Sequence, residues 1–584
     1  VISRRLESVT GAHPANITGF VSEPARNPVA CGALGPYDGS IVARIASALP
    51  SPPREVHADR RSCLWLDREP IRWRAGPRGG LAWSERYPAP DPGGVRSWVD
   101  AATALDACGL GLGLRRRWIH SSVAGSAPVY WTEHDGATYF ASRIDALARG
   151  IGAPLDADWD AWSAIFTLRQ PLGDRTPFRQ IRRLPQLSCL EHGSSGPAVR
   201  SEPWAWAEVE PHADIEAAVD ATVEALHEAL RPLRSSGAVV LLSGGLDSRA
   251  MLGVAHDAGV PVRALTAVAD DGIGWEADLA GAAAAAAGAE HERFIPADGG
   301  DYRRLWSEHL EALDFQFMMG SWVMPMGPRL EELGLPTLDG LALDVLGIPG
   351  GRFYSDRRLI DPDPNWDFRS TLFKSFRARA MPKVPDRAFE EPLARAMVVS
   401  ARRQFREQAA AYLGNRSQAL LTVYSTRTVR AVAAVPAQVT GRHAPIVTPA
   451  AYDRAGRAIL SLDPREKLGR RFYHALFDRI ESPSVRLPTV EDATRPPPNA
   501  KGTRQRFSPE MLAMYETAVR EGPLSAHLSR PLAGHLGAGT LADGIRGTSM
   551  HRAAMALTAL HRWADRYDAL LRPIDPSPLL EGSP

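Results

Sequence analysis

Residues Gly237 to Leu252 read GAVVLLSGGLDSRAML, and this stretch constrains the chain more than any other. Val239–Leu242 is a short, unbroken apolar run, as expected of a strand buried on both faces. Ser-Gly-Gly-Leu-Asp-Ser follows it, and a helical pattern, SRAMLGVAHDAG, begins at once. Upstream, IEAAVDATVEALHEALRPL carries apolar residues at spacings of three and four and predicts an amphipathic helix. Downstream the units read strand (PVRALTAVA), helix (WEADLAGAAAAAAGA) and strand (ERFIPA). Strands alternating with helices predict a parallel sheet, and such sheets bind ligands beyond the carboxyl ends of their strands. Gly244 and Gly245 would let an anion approach the unpaired N–H groups that open the following helix. Ser243 and Ser248 offer hydroxyls, and Asp247 can hold a magnesium ion that bridges phosphates. The loop has no lysine, which excludes a Walker-type nucleotide loop. A bare Gly-Gly after a strand is as often a plain turn, and an Asp there as often a cap. The full six-residue motif between strand and helix leaves those readings in the minority.

The first 208 residues follow a different regime of short extended runs. SCLWLD, GGLAWS and APVYWTEHDGATYFAS predict strands, the last a hairpin turning at EHDG. SEPWAWAEVEPHAD reads as a linker. After residue 365 the pattern is mostly helical, and RPPPNAKGTRQRF (Arg495–Phe507) is expected to be a mobile loop. Cys31, Cys63, Cys108 and Cys189 lack metal-ligand or disulfide-framework spacing. The net charge of +1 offers no global field for nucleic acid or an anionic membrane. The longest apolar tract, Ala280–Ala289, is too short to span a bilayer, and the opening VISRRLESVTGAHP has no signal-peptide core. A cytoplasmic enzyme is the expectation.

SGGLDS in this setting resembles the pyrophosphate loop of ATP pyrophosphatases, specifically the asparagine synthetase superfamily. Members adenylate a carboxylate, release pyrophosphate, and let an amine attack the acyl-adenylate. PLGDRTPFRQIRRLP and APVYWTEHDGATYFASRIDAL are similar to the end of the family's glutaminase domain. TLDGLALDVLG (Thr337–Gly347) is similar to its second phosphate and metal loop, and HAPIVTPAAYD (His443–Asp453) to a Pro-containing segment in the helical half. The resemblance implies an α+β N-terminal sandwich over 1–208, of degenerate class II glutaminase type. An α/β ATP-pyrophosphatase domain over 209–584 follows, with a parallel sheet and a large helical part. It implies ATP and Mg²⁺ as cofactors, with Leu242, Ser243, Gly244, Gly245, Leu246, Asp247, Ser248, Thr266, Asp339 and Gly340 at the nucleotide. Asp247 and Asp344 would be metal ligands, and Lys467 the cation beside the departing pyrophosphate, with Arg470 and Arg471 as competitors for that role.

The departures from the family pattern are instructive. Family glutaminases use an N-terminal cysteine, whereas this sequence opens Val1-Ile2-Ser3 and its first Cys-Gly pair is Cys31-Gly32. The Asn-Gly dipeptide of the glutamine loop occurs nowhere. No ammonia release is therefore expected, and the nucleophile should be an amine of the substrate itself. Leu341 stands where asparagine synthetases carry a glutamate and β-lactam synthetases a tyrosine. Leucine transfers no proton, but an α-amine, with a pKa near 7.7–8.0, is already about a tenth free at neutral pH. Together the departures resemble lasso-peptide macrolactam synthetases, which join a peptide's N-terminal amine to an internal Asp or Glu side chain. That resemblance implies a precursor peptide as substrate, and a leader peptidase and leader-binding protein as partners, with neither nucleic acid nor membrane. Ordering a threaded peptide costs about 1–2 kcal/mol per residue, and oriented intramolecular attack recovers about 7–11 kcal/mol of barrier. LDFQFMMGSWVMPMG (Leu313–Gly327) is a candidate cavity wall, though residues of this kind are more often core.

Weaker candidates remain. Lys501 could close over phosphates, but flexible surface charge is commoner. His291 is expected to be structural. Glu276 and Asp278 resemble family acids, yet helix-start acids are common without function. Competing readings are another amide ligase of the same superfamily (asparagine synthetase or β-lactam synthetase type), a tRNA thiolase, and an inactive scaffold. The absence of cysteine beyond residue 189 argues against thiolation. The intact Ser243, Asp247, Ser248 and Asp344 argue against a dead site.

Overall fold

A computed structural model describes residues 26–75, 78–84, 86, 91–113, 116–152, 154–202, 204–211, 214–268, 274–347, 367–492, 505–545 and 548–581. Val1-Ile2-Ser3, Lys501 and most of the segment Arg495–Phe507 lie outside the described residues; Gln505–Phe507 forms a single 3-10 turn.

The hairpin anticipated at EHDG forms between Tyr130–His134 and Ala137–Ala141, with His134 opposite Ala137. Asp135 (φ 48°) and Gly136 (φ 73°) make the turn. Two successive positive φ angles match the right-handed twist of the flanking strands. This hairpin is the middle of an antiparallel six-stranded sheet, ordered 182–183, 130–134, 137–141, 30–34, 62–66, 54–58. A second antiparallel sheet runs 196–201, 188–193, 117–120, 107–112, 78–84, 71–75. Leu64 and Phe140 of the first sheet share a core with Leu81, Leu110 and Ile119 of the second, so the sheets pack face to face. The other face of the first sheet is covered by helices Gly39–Ser47 and Ile144–Ile151. Burial on both faces explains why SCLWL reads as an apolar run rather than an alternation.

The second half holds a parallel five-stranded sheet, ordered Glu290–Phe294, Val262–Ala267, Ala238–Leu241, Thr337–Leu338, Ile446–Val447. The last strand comes from within HAPIVTPAAYD. At two residues it is too short to show a period, so the sequence reading did not find it. Leu313, Phe315, Met318 and Met326 of the candidate cavity wall are buried in three hydrophobic clusters. They are core. The long helix Thr548–Arg566 packs back onto the first half, with Trp563 edge-on to Trp162 at 5.3 Å. All four cysteines are buried free thiols, and no helix among the described residues is long and apolar enough to cross a membrane.

Candidate active site

Strand Ala238–Leu241 is bonded on one side to Val262–Ala267 and on the other to Thr337–Leu338. The chain therefore leaves it first to one side and returns on the other, which opens a crevice beyond its carboxyl end. Both loops singled out in the sequence meet there. Gly340 comes so close to the SGGLDS loop that an added Cβ would lie 2.9 Å from Asp247 Cβ. Glycine is required by that approach.

Within the first loop, Ser243 N donates to Ser248 Oγ at 2.9 Å, and the two hydroxyl oxygens lie 2.9 Å apart. Gly245 N donates to Ser243 Oγ at 3.2 Å. The hydroxyls thus brace the loop as well as facing its mouth. Gly245 opens helix Leu246–Asp257 without a side-chain cap, which leaves first-turn N–H groups for an anion. Thr266 Oγ1 donates to Leu242 O at 2.8 Å and meets His291 Nε2 at 2.8 Å. Thr266 and His291 therefore shape the strand ends, and the Thr266 hydroxyl is already engaged. Asp278 pairs with Arg293 at 2.7 Å.

Three carboxylates converge beside the loop. The Tyr473 hydroxyl donates to Asp247 Oδ1, and Asp339 Oδ1 accepts from Leu341 N at 2.8 Å. Asp344 Oδ2 lies 3.5 Å from Arg427 Nη1. Burial, then the charges of Asp344, Glu491 and Asp339, holds Asp247 well above the usual carboxylate range, although Tyr473 pulls the other way. Burial also pushes Asp339 up to about 6, with Asp344 adding to it and the Leu341 N–H opposing. The physical content is a local excess of negative charge. A divalent cation would cancel it, and Asp247 and Asp344 are the residues suited to hold one. No group of three or more His, Cys, Asp or Glu side chains among the described residues is arranged to hold a metal by itself. Magnesium fits that arrangement, because it is usually held by one or two carboxylates together with substrate phosphates and water.

Of the three candidate cations, the structure separates Lys467 from the others. Lys467 is fully buried, and its Nζ donates to Leu346 O at 2.9 Å, at the end of the short helix Leu343–Gly347 that carries Asp344. Burial lowers its ammonium to about 7, with Asp463 opposing. Arg471 turns away to Glu466 at 2.7 Å. Arg470, with φ 66°, donates to Glu491 O at 3.0 Å and so holds the segment that packs over the loop. There Val490 N donates to Gly244 O at 2.9 Å, and a Cβ on Gly244 would lie 2.6 Å from Val490 Cγ1.

Tyr473, Glu491 and Arg427 were missed by the sequence reading. Tyr473 is 226 positions from its partner Asp247, and nothing in RRFYHALF marks it. Leu341 is buried in the hydrophobic core, where it transfers no proton. In the first half, Cys31 pairs with Trp65 and Ala141 inside the sheet, and burial holds its thiol far above the ordinary range.

Neither a protein-family model nor any sequence among curated proteins matches this chain.

Proposed function

We propose that the protein is an ATP-dependent, AMP-forming amide ligase that closes a macrolactam in a ribosomally made peptide. The observation that carries this reading is the meeting of an open helix N-terminus with a surplus of carboxylate charge at the switch point of a parallel sheet. One half suits phosphates and the other suits a magnesium ion. Bound Mg²⁺ would neutralise phosphate charge and act as a Lewis acid. The chain's own groups then have these roles. The first-turn N–H groups of Leu246–Asp257 would hold the outer phosphates, and Asp247 and Asp344 would hold the metal. Lys467, whose Nζ donates to Leu346 O two residues past Asp344, would stabilise negative charge as pyrophosphate departs. A substrate carboxylate oxygen attacks the α-phosphorus, and the α–β bridge breaks to release pyrophosphate. An amine then attacks the acyl carbon, AMP leaves, and the amine's extra proton passes to solvent.

Two features favour a peptide α-amine over ammonia as the nucleophile. Cys31 lies inside a sheet with a protonated thiol, which suits no glutaminase, and Leu341 supplies no base. An α-amine needs the least help. The test is to supply candidate acidic peptides with MgATP and follow AMP, pyrophosphate and loss of one water from the peptide. Product should rise with pH as the amine deprotonates. N-acetylation should abolish the cyclic product while AMP formation continues into hydrolysis. Efficient conversion of aspartate and ammonia to asparagine would overturn the macrocyclase reading in favour of another ligase of this kind.

A further inference from the structure

Next to Asp344, arginines from separate elements come together. Arg427 belongs to the π-helical turn Tyr424–Val432 and reaches Asp344. Arg169 ends helix Trp159–Leu168 in the left-handed region (φ 80°), a conformation uncommon for a residue with a side chain. Arg552 comes from helix Thr548–Arg566. The charged groups facing Arg169 are Arg427 and Arg552, and Arg552 in turn faces Arg506. Like charges thus run from the candidate metal site towards the C-terminal helices.

The hydrogen bonds of this group are informative. Arg169 Nη2 donates to Ala380 O, and Arg552 Nη1 donates to Arg379 O at 3.1 Å. Both guanidiniums therefore sit on the last carbonyls of helix Phe368–Ala380. A helix C-terminus carries about half a negative charge, against two full positive charges. Capping alone leaves an excess of more than one charge, and among the described residues neither arginine has a carboxylate facing it. Burial lowers Arg169 to about 9, so it stays charged at neutral pH. Both arginines are half-buried, and charge crowded there without a counter-ion is costly unless a partner arrives.

We propose that Arg169 and Arg552 form a binding site for a carboxylate of the substrate peptide other than the one that is activated. This deepens the reading above and rests on it for the word substrate. A guanidinium pair takes carboxylate oxygens in two-point fashion, and its place near Asp344 would fix which acid of a peptide lies at the nucleotide. The carboxylate could come from an acidic side chain or from a peptide C-terminus, and the chemistry is the same.

The test uses three probes on the full chain, by calorimetry at low salt. They are N-acetyl-triglutamate amide, N-acetyl-triglutamine with a free C-terminus, and N-acetyl-triglutamine amide as the neutral control. One or both acidic probes should bind while the control does not, and which of them binds identifies the source. R552Q should weaken the acidic probe about tenfold. R169K, which keeps the charge but loses the fork, should weaken it less, and circular dichroism checks that both variants fold. A non-hydrolysable ATP analogue with Mg²⁺ should bind alongside the probe. Binding of the control as tightly as the acids, no change in R552Q, or competition with the ATP analogue would each overturn the site. Pyrophosphate exchange is measured separately: its absence with probe binding intact would sink the ligase reading and leave a carboxylate site standing.

Discussion

Cys31 in the antiparallel half and Lys467 beside the parallel sheet are both fully buried, yet burial does opposite things to their chemistry. For the thiol, the reactive form is the charged one, and desolvation removes it. The thiol is silenced. For the ammonium, desolvation lowers its proton affinity to about 7, into the range where a nearby negative charge decides whether it is protonated. Its surroundings differ as well. Cys31 is held in the middle of a sheet between two paired strands, whereas Lys467 has a single backbone acceptor beside a crevice lined by carboxylates. The half built of paired antiparallel strands closes its polar groups off. The half built on a parallel sheet leaves strand ends and a helix start open, and there the titratable groups are unbalanced.

The sharpest way to break this contrast is Asp247→Asn. If the proposed function holds, loss of this carboxylate should cut AMP formation by about a thousandfold or more, since metal stabilisation is worth several kcal/mol. The fold should be unharmed or slightly stabilised, because one of three crowded carboxylates becomes neutral. Wild-type turnover in this variant would remove the site from the argument.

Lys467→Met should lower turnover by about a hundred- to a thousandfold, the usual cost of one charge-stabilising donor. Melting temperature should hold or rise, because a buried cation gives way to an apolar chain of similar length. A large fall in melting temperature with turnover intact would make Lys467 structural.

A smaller effect separates the halves by pH. Asp339 keeps its proton up to about 6 in the folded chain, against an ordinary 3.8, and Asp247 shifts in the same direction. The folded state therefore binds more protons than the unfolded one, so these groups make stability fall as pH rises from about 4 through 6. Magnesium needs the ionised carboxylates, so the thermal gain from adding Mg²⁺ with ATP should grow as pH rises through 6. A gain independent of pH would show that other groups hold the ion.

The smallest effect belongs to the first half. Cys31→Ala should cost about 1 kcal/mol of stability for the space left in the sheet, and should leave AMP formation unchanged. Incubation with glutamine should release no glutamate above background. Release that disappears in this variant would show the thiol to be reactive.

How much of this was legible from sequence depended on the range of the interaction. The hairpin at Asp135-Gly136 and the strand–loop–helix around SGGLDS were readable because turn chemistry, apolar runs and helical spacing act within a dozen residues. The motifs also named Asp247, Asp339, Gly340 and Asp344 as a group, and the structure brings them together. Three rival cations in DPREKLGRRF could not be ranked by spacing. Only the turn at Gly469 and Arg470, which directs Lys467 inward and Arg471 to Glu466, separates them.

By itself, then, the sequence determined the local units and the residue types at the crevice, because backbone preference and side-chain period are local properties. The tertiary structure alone decided what those residues feel. It set Tyr473 against Asp247 across 226 positions, packed Val490 onto Gly244, added a two-residue fifth strand, and gathered Arg169 and Arg552 around one helix end. Burial and charge balance are sums over neighbours distant in the chain. No local pattern encodes them, and they are what sets the protonation of Asp339, Lys467 and Cys31.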